Sequence, residues 1–428
     1  MPASESRTAR LRALAAQGRM EDAQAGIAAL LKDRFGLVAR QVRINDDQYS
    51  LNSLNGFFLA EDGEFFFKFH QEDGEDEMAG EYYRAQLLSH AGLPVDQPVH
   101  VSREPGAQIL VYPRRRDPRF ADTLAALDMA DDTVEHRRAL AAEQALNEKL
   151  LAVARATLHP IAPGDAAAEP IHQLFHNRLT PGGRYELFYP GQKVVLPGLT
   201  LPWEEFASLR FVVNGAAYRE PLSSLFNRAR ARLAPSNLAD AGGITAHGDA
   251  HNANVWDSAQ GLTFYDPAFA GTNIPSLLAE VKSTFHNICA HPFWLYEPDQ
   301  TARLHRATAR REGDCLFIDT DWAPTAIRQD LMEIKLRSFW APWLATLAAR
   351  DMLPADWREV IRLALFLCPT LVMNLRAGAG RHNPVSSAIG FAVAVMAGSE
   401  AVDQPAEIDL TARLIAPLTA QLLHRSNF

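Results

Sequence analysis

ITAHGDAHNANVWDSAQGLTFYDPAFAG, residues 244–271, packs ionisable and metal-capable groups around two short apolar runs. Val255 and Trp256 read as one strand, Asp257 to Gly261 as a turn, and Leu262 to Tyr265 as the returning strand. Such a hairpin brings Asn254 and Asp266 together at its open end. An amide oxygen beside a carboxylate suits a hard cation such as magnesium, which takes oxygen ligands and keeps positions for water and phosphate. Asp249, on the loop just before Asn254, is within reach of a nucleophile approaching that cation and is the candidate base. Taken singly, Asp249 or Asp266 reads as an ordinary turn or cap carboxylate. His251 reads as loop packing, because no second His or Cys stands at zinc spacing.

Working upstream, GFFLA (56–60) and EFFFKF (64–69) flank Glu61, Asp62 and Gly63, an aromatic hairpin signal. A period of two sets Phe65, Phe67 and Phe69 on one face and Phe66 with Lys68 on the other. Lys68 alone also reads as a charge guarding an edge strand. The helical pattern that follows puts Glu81 on the buried side with Met78, Ala85 and Leu88, and Glu77 is its competitor one turn earlier. ILVY (109–112) reads as a strand ended by Pro113, and with Arg114, Arg115 and Arg116 as the connector to a second region; those arginines read as a solvated face or an anion contact. Residues 8–34 predict an amphipathic helix or helix pair capping the first lobe. After Asp122 the pattern is nearly all helix apart from a few short strands, and 160–215, with a strand-like YELFY at 185–189, reads as an insertion.

The whole chain sets the limits within which these groups act. It has 428 residues, 47% hydrophobic and 22% charged, enough for a large core divided between two subdomains. A net charge of −9 leaves no broad basic surface for nucleic acid or an anionic membrane, so a small molecule is the expected partner. Cys289, Cys315 and Cys368 are scattered, without metal-ligand or disulfide spacing, which fits a reducing cytoplasm. The first twenty residues lack the apolar stretch of a secretory signal, a transit peptide being the alternative. Val385–Ala401 reads as a buried helix rather than a membrane span, and Trp340 and Trp343 as core.

HGDAHNAN, with its His, Gly, Asp, four intervening positions and Asn, followed by YDP, resembles the aminoglycoside phosphotransferase and choline kinase superfamily. The continuation DPAFAG leans toward its methylthioribose kinase and fructosamine kinase members. The resemblance runs over roughly residues 40 to 290. It implies an α+β, two-lobed protein-kinase-like fold, with a small antiparallel β N-lobe within 1–112 and a larger helical C-lobe, 113–428. It implies an ATP-dependent phosphotransferase with an alcohol group as acceptor. By this likeness Asp249 orients and deprotonates the acceptor hydroxyl, Asn254 and Asp266 hold Mg2+ against the nucleotide phosphates, and His247 supports the loop. Lys68 and Glu81 look like the ion pair that positions the α and β phosphates. Ser53 and Asn55 of YSLNSLNGFF occupy the phosphate-loop position, and Val111 and Tyr112 would offer hinge groups to the purine.

For the acceptor, a sugar, amino alcohol, nucleoside or antibiotic-like molecule, NLRAGAGRHNP (374–384) supplies Arg376, Arg381 and His382 as candidate contacts. His286 and Lys282 are further ones. The alternative reading of 374–384 is an interhelical loop with helix caps. Two rival functions stay open: a metal-dependent phosphoesterase, echoed by HGDAH but lacking a second metal-binding half, and a nucleotide-binding regulator without catalysis.

Overall fold

Aromatic alternation builds the first sheet. The computed structural model describes residues 6–45, 53–70, 75–291 and 293–425; the side chains of residues 53, 69–70, 75–82 and 423–425 lie outside that description. The chain divides into two compact units, Met1–His90, Pro94–Asp117 and Thr263–Ala268 forming the first, Ala91–Leu93, Pro118–Leu262 and Phe269–Phe428 the second. Both contain helix and strand, so the class is mixed α+β.

In the first unit, helices α1 (Arg7–Ala16) and α2 (Met20–Phe35) precede strands β1 (Arg40–Ile44), β2 (Ser53–Ala60) and β3 (Gly63–His70). Helix α3 (Glu75–His90) and strands β4 (His100–Ser102) and β5 (Ile109–Pro113) follow. The five strands pair in the order β1-β2-β3-β5-β4, every neighbouring pair antiparallel. Leu11, Ile27, Leu30 and Leu31 of the helix pair share one core with Phe58, Phe65, Phe67 and Ile109 of the sheet. Each such buried side chain contributes about 1.5–3 kcal/mol through removal from water. Gly56 stands opposite Phe67, where a Cβ would collide with the Arg43 carbonyl oxygen and the Phe67 ring, so strand β2 can sit this close only with glycine there. Asn55 is opposite Lys68 in the same register.

The second unit is mainly helical with short strands, and the strands pair more extensively than the sequence pattern indicates. Ala307–Glu312 and Cys315–Thr320 form an antiparallel hairpin, and the latter runs parallel to Arg210–Val213, giving a four-stranded sheet completed by Ala216–Ala217. Its signal is weak because one face is nearly all charge: in ATARRE only Ala307 is buried, and in CLFIDT only Leu316 and Ile318. A correction concerns YELFY, where Arg184–Phe188 is a one-turn helix rather than a strand. The turn brings the Tyr185 and Tyr189 rings to 6.2 Å, so both pack against Trp203 and Phe226. A strand would set those side chains about 13 Å apart. Trp340 and Trp343 are fully buried. Pro384–Gly398 is a buried helix packed against Trp357–Val372, and among the described residues no helix is long and apolar enough to cross a membrane.

Candidate functional site

The first unit presents one half of the candidate chemistry. Phe264 joins this unit through backbone bonds, its N–H donating to the Pro94 carbonyl at 2.8 Å and its carbonyl accepting from the Asp96 N–H at 2.9 Å. Two residues on, Asp266 takes a left-handed backbone (φ 54°), which aspartate tolerates better than most residues. Its Oδ1 meets the Lys68 Nζ at 2.9 Å. The Lys68 side chain is mostly buried, whereas that of Asp266 is 42% exposed. Lys68 therefore pairs with Asp266 here; the side chain of Glu81, its expected partner, lies outside the described residues, as does that of Ser53. Asn55 is buried and accepts a hydrogen bond from Asn45 Nδ2 at 2.8 Å. Val111 is inside the sheet, its carbonyl accepting from the Val99 N–H at 2.8 Å, and Tyr112 pairs with Phe66 across strands. Arg114 and Arg116 pair with Glu64, and Arg115 with Asp96 and Asp117, on the exposed surface.

The second unit carries the remaining candidate residues. Gly243–Ala246 is a buried strand paired with Gly271–Pro275, and the chain leaves it through His247, Gly248 and Asp249. Gly248 has φ +78°, and a Cβ there would collide with the Phe269 carbonyl, so this bend needs glycine. The Asp249 N–H donates to His247 Nδ1 at 3.3 Å. His251 Nδ1 accepts from the Ala253 N–H and caps the short turn Asn252–Asn254. Asn254 Nδ2 donates to the Asp249 carbonyl at 3.0 Å, which leaves the amide oxygen Oδ1 as the atom with lone pairs to offer a cation. The Asn252 N–H donates to Asn287 Oδ1 at 2.7 Å and ties this loop to Phe285–Cys289.

Asp249 is buried, and its Oδ1 lies 3.0 Å from the Nζ of Lys282, itself buried. That approach is ionic, because Oδ1 makes no hydrogen bond of good direction. His251 Nε2 stands 3.8 Å from Oδ2, beyond hydrogen-bond length, so Oδ2 is the oxygen left for a ligand. Burial alone would push the carboxyl up; the charges of Lys282, then His251, outweigh it and bring the pKa to about 2. His286 is buried, its Nδ1 bonded to the Tyr296 hydroxyl, its Nε2 without a partner, and its ring 5.8 Å from that of His251. Burial, then the nearby cations, hold its pKa well below the ordinary imidazole value, so it is neutral.

Asp249, Asn254, His286 and Lys282 thus converge, and Lys282 has a larger part than its sequence position suggests. In the sequence it stands in a mixed segment, LLAEVKSTFH, beside Val281 and close to Leu277, Leu278 and Phe285. The three candidates from 374–384 are engaged by the scaffold. Arg376 Nε donates to the Phe188 carbonyl at 2.6 Å, Arg381 donates to the Tyr296 carbonyl at 2.6 Å and pairs with Asp299, and His382 is buried against Ser386. Burial, then Arg381, push the His382 pKa down to about 4. Asn383 caps the helix Pro384–Gly398 with a reciprocal bond from Ser386. Asn254 Oδ1 in the second unit and Asp266 Oδ2 in the first are each hard oxygens of the type that magnesium takes as ligands.

No family model and no curated protein matches the sequence. The chain is similar to several solved structures. A thermostable mutant of aminoglycoside phosphotransferase APH(4)-Ia, in a ternary complex with ADP and hygromycin B, is 12% identical over 87% of this chain and 98% of that one, with a TM-score of 0.46. Macrolide 2'-phosphotransferase MphH from Brachybacterium faecium is 14% identical over 90% and 99%, TM-score 0.37. Choline kinase from Cryptosporidium parvum Iowa II is 8% identical over 94% and 95%, TM-score 0.32. At identities and scores this low, the chemistry of the site has to be read from this chain's own residues.

Proposed function

We propose that this chain is a small-molecule kinase of protein-kinase-like architecture that moves the γ-phosphoryl group of ATP onto a hydroxyl of a small metabolite. What carries this reading is Asp249: a buried carboxylate kept ionised by Lys282, with Oδ2 left for a ligand, on a loop whose next polar side chains include Asn254. The acceptor oxygen bonds to the γ-phosphorus while the bond from that phosphorus to the β–γ bridging oxygen breaks, ADP departs, and the hydroxyl proton is released through Asp249. A carboxyl with a pKa of about 2 is a weak ground-state base. It suits a loose transition state, in which the hydroxyl is oriented early and gives up its proton late.

Lys68 would bind nucleotide phosphate, and Asn254 and Asp266 would hold magnesium, which when bound neutralises charge on the phosphate oxygens. Residues 1–112, joined by Thr263–Ala268, would serve the nucleotide, and 113–428 the acceptor. The DPAFAG continuation supports a place near the methylthioribose and fructosamine kinases within the superfamily. Three free cysteines, Cys289 and Cys368 of them buried, suit a reducing cytoplasm.

The test is to incubate the protein with magnesium, ATP and a small-metabolite extract, with Asp249→Asn as control. Mass spectrometry should find a species that gains one phosphoryl group with the wild type alone. Phosphate release from phosphoesters without nucleotide would favour the phosphoesterase instead.

A further inference from the structure

Close to Asp249 the second unit carries positive charge that its carboxylates do not answer. Lys282 is matched by Asp249 itself. Arg178 and Arg184, both half-buried, are not: among the described residues neither lies within ion-pair distance of a carboxylate, and their acceptors are main-chain carbonyls. Arg178 Nη1 donates to the Leu371 carbonyl at 3.2 Å, and Arg184 Nη1 donates to the same oxygen at 3.0 Å and to that of Val372 at 2.8 Å. Two guanidiniums therefore meet at the last turn of the helix Trp357–Val372. That helix packs against Val281–Thr284, which carries Lys282, and against Phe285–Cys289, which carries His286. Burial, then the charge of Arg184, pull the Arg178 pKa down to about 10, with Asp249 opposing them from nearby.

Capping the helix end explains one nitrogen of each arginine, since cations and donors favour exposed terminal carbonyls. It does not explain the rest. A guanidinium has five N–H donors in a fixed fork, and none of the remaining nitrogens is sealed away unsatisfied, so they stand where a solute can reach them. Two like charges sharing one carbonyl in a half-buried setting repel, and a single polar amide would cap as well without that cost. The buried His286 Nε2 is a further polar atom without a hydrogen-bond partner, in the same charged neighbourhood as Lys282 and Arg178.

We propose that Arg178 and Arg184 form an anion-binding end of the acceptor site, so that the alcohol phosphorylated here carries a carboxylate or a phosphate. A fork of guanidinium donors matches either group bidentately, whereas a polycationic acceptor would be repelled. The inference rests on the kinase reading for the word acceptor, while the anion site itself does not.

The experiment is calorimetric titration of the full chain with D-glycerate, glycerol 3-phosphate, neutral glycerol and cationic serinol. Wild type is compared with Arg178→Gln and Arg184→Gln, which remove the charge but keep an N–H for the Leu371 and Val372 carbonyls. At least one anion should bind at least about tenfold more tightly than glycerol or serinol, and each Gln variant should weaken it by about tenfold. Added salt should weaken anion binding to the wild type, a readout that needs no variant. Glycerate against glycerol 3-phosphate separates carboxylate from phosphate. Anions binding no better than glycerol, serinol binding best, or Gln variants binding anions like the wild type would overturn the proposal. ATP titrations of the same samples judge the kinase reading separately: anion binding that depends on the arginines, without ATP binding, would sink the kinase and leave the anion site standing.

Discussion

Two lysine–aspartate pairs of nearly equal length serve opposite ends. Lys68 meets Asp266 at 2.9 Å in the first unit, and Lys282 meets Asp249 at 3.0 Å in the second. The first pair has an aspartate 42% exposed, while both side chains of the second are nearly sealed. Water screens the first, so it holds together weakly, and under the proposed function it would exchange partners with phosphate or a cation. The second is fixed by burial: neither charge has another place to go, and its effect is to set the protonation of Asp249. On the proposed kinase reading, the first pair would be a docking point and the second a permanent electrostatic setting.

Removing the charge of the second pair's aspartate should produce the largest effect. Asp249→Asn keeps the shape and the Asn254 contact to its carbonyl but cannot orient or deprotonate an acceptor, so turnover should fall by about a hundredfold to ten thousandfold. Nucleotide affinity measured by titration should be retained; turnover near the wild-type level would break the comparison at its root.

Next in size is Lys282→Met, which leaves the buried carboxylate without its cation. Loss of one partner of such a pair costs about 3–5 kcal/mol, and chemical denaturation at neutral pH should show it. Without Lys282 the burial that pushes Asp249 up is opposed less, so its pKa rises and the variant's activity should fall on the acid side at a higher pH than the wild type's. In the wild type the sign is the other way: the folded pKa of about 2 lies below the ordinary 3.8, so ionised Asp249 stabilises the fold above 3.8 and that stability is lost as pH falls toward 2. The stability at stake is about 2 kcal/mol. A Lys282→Met protein as stable as wild type at neutral pH would mean that Asp249 is already solvated.

How far the sequence carries differs between the two pairs. Lys68 and Asp266 announce themselves through strong local signals, an aromatic strand of period two and a turn after an apolar run. The loop of Asp249 was legible for the same reason, as glycine, histidine and asparagine at tight spacing leave few other readings. Lys282 was legible only as a candidate acceptor contact; its pairing with Asp249 was not, because that partner lies 33 positions away in the chain. Arg178 and Arg184 were hidden in a segment whose one-turn helix looked like a strand, and their meeting point at Leu371 is fixed only by tertiary packing. Conversely, Arg376, Arg381 and His382 looked functional because polar residues interrupted two apolar helices. In the structure their side chains bond to scaffold groups, as the caps-and-loop alternative has them. The hairpin at 307–320 was not placed among the few short strands expected, because its buried apolar face is narrow, Ala307, Leu316 and Ile318 alone, and its other face is largely charged.

The smallest effect is expected at the first pair. Lys68→Met removes a charge that meets a well-exposed carboxylate, so the change in melting temperature should correspond to less than about 1 kcal/mol. Nucleotide binding should respond more: loss of one charge-assisted contact to phosphate weakens affinity by about tenfold, with ATP affected far more than adenosine, which has no phosphate to lose. Thermal denaturation and titration with ATP and adenosine on one preparation measure both quantities. If stability falls by several kcal/mol while ATP binds as before, Lys68 and Asp266 form a structural clamp like the buried pair, and the contrast between docking point and fixed setting disappears. If ATP affinity falls and stability holds, the two pairs differ in function because they differ in exposure, at nearly the same distance.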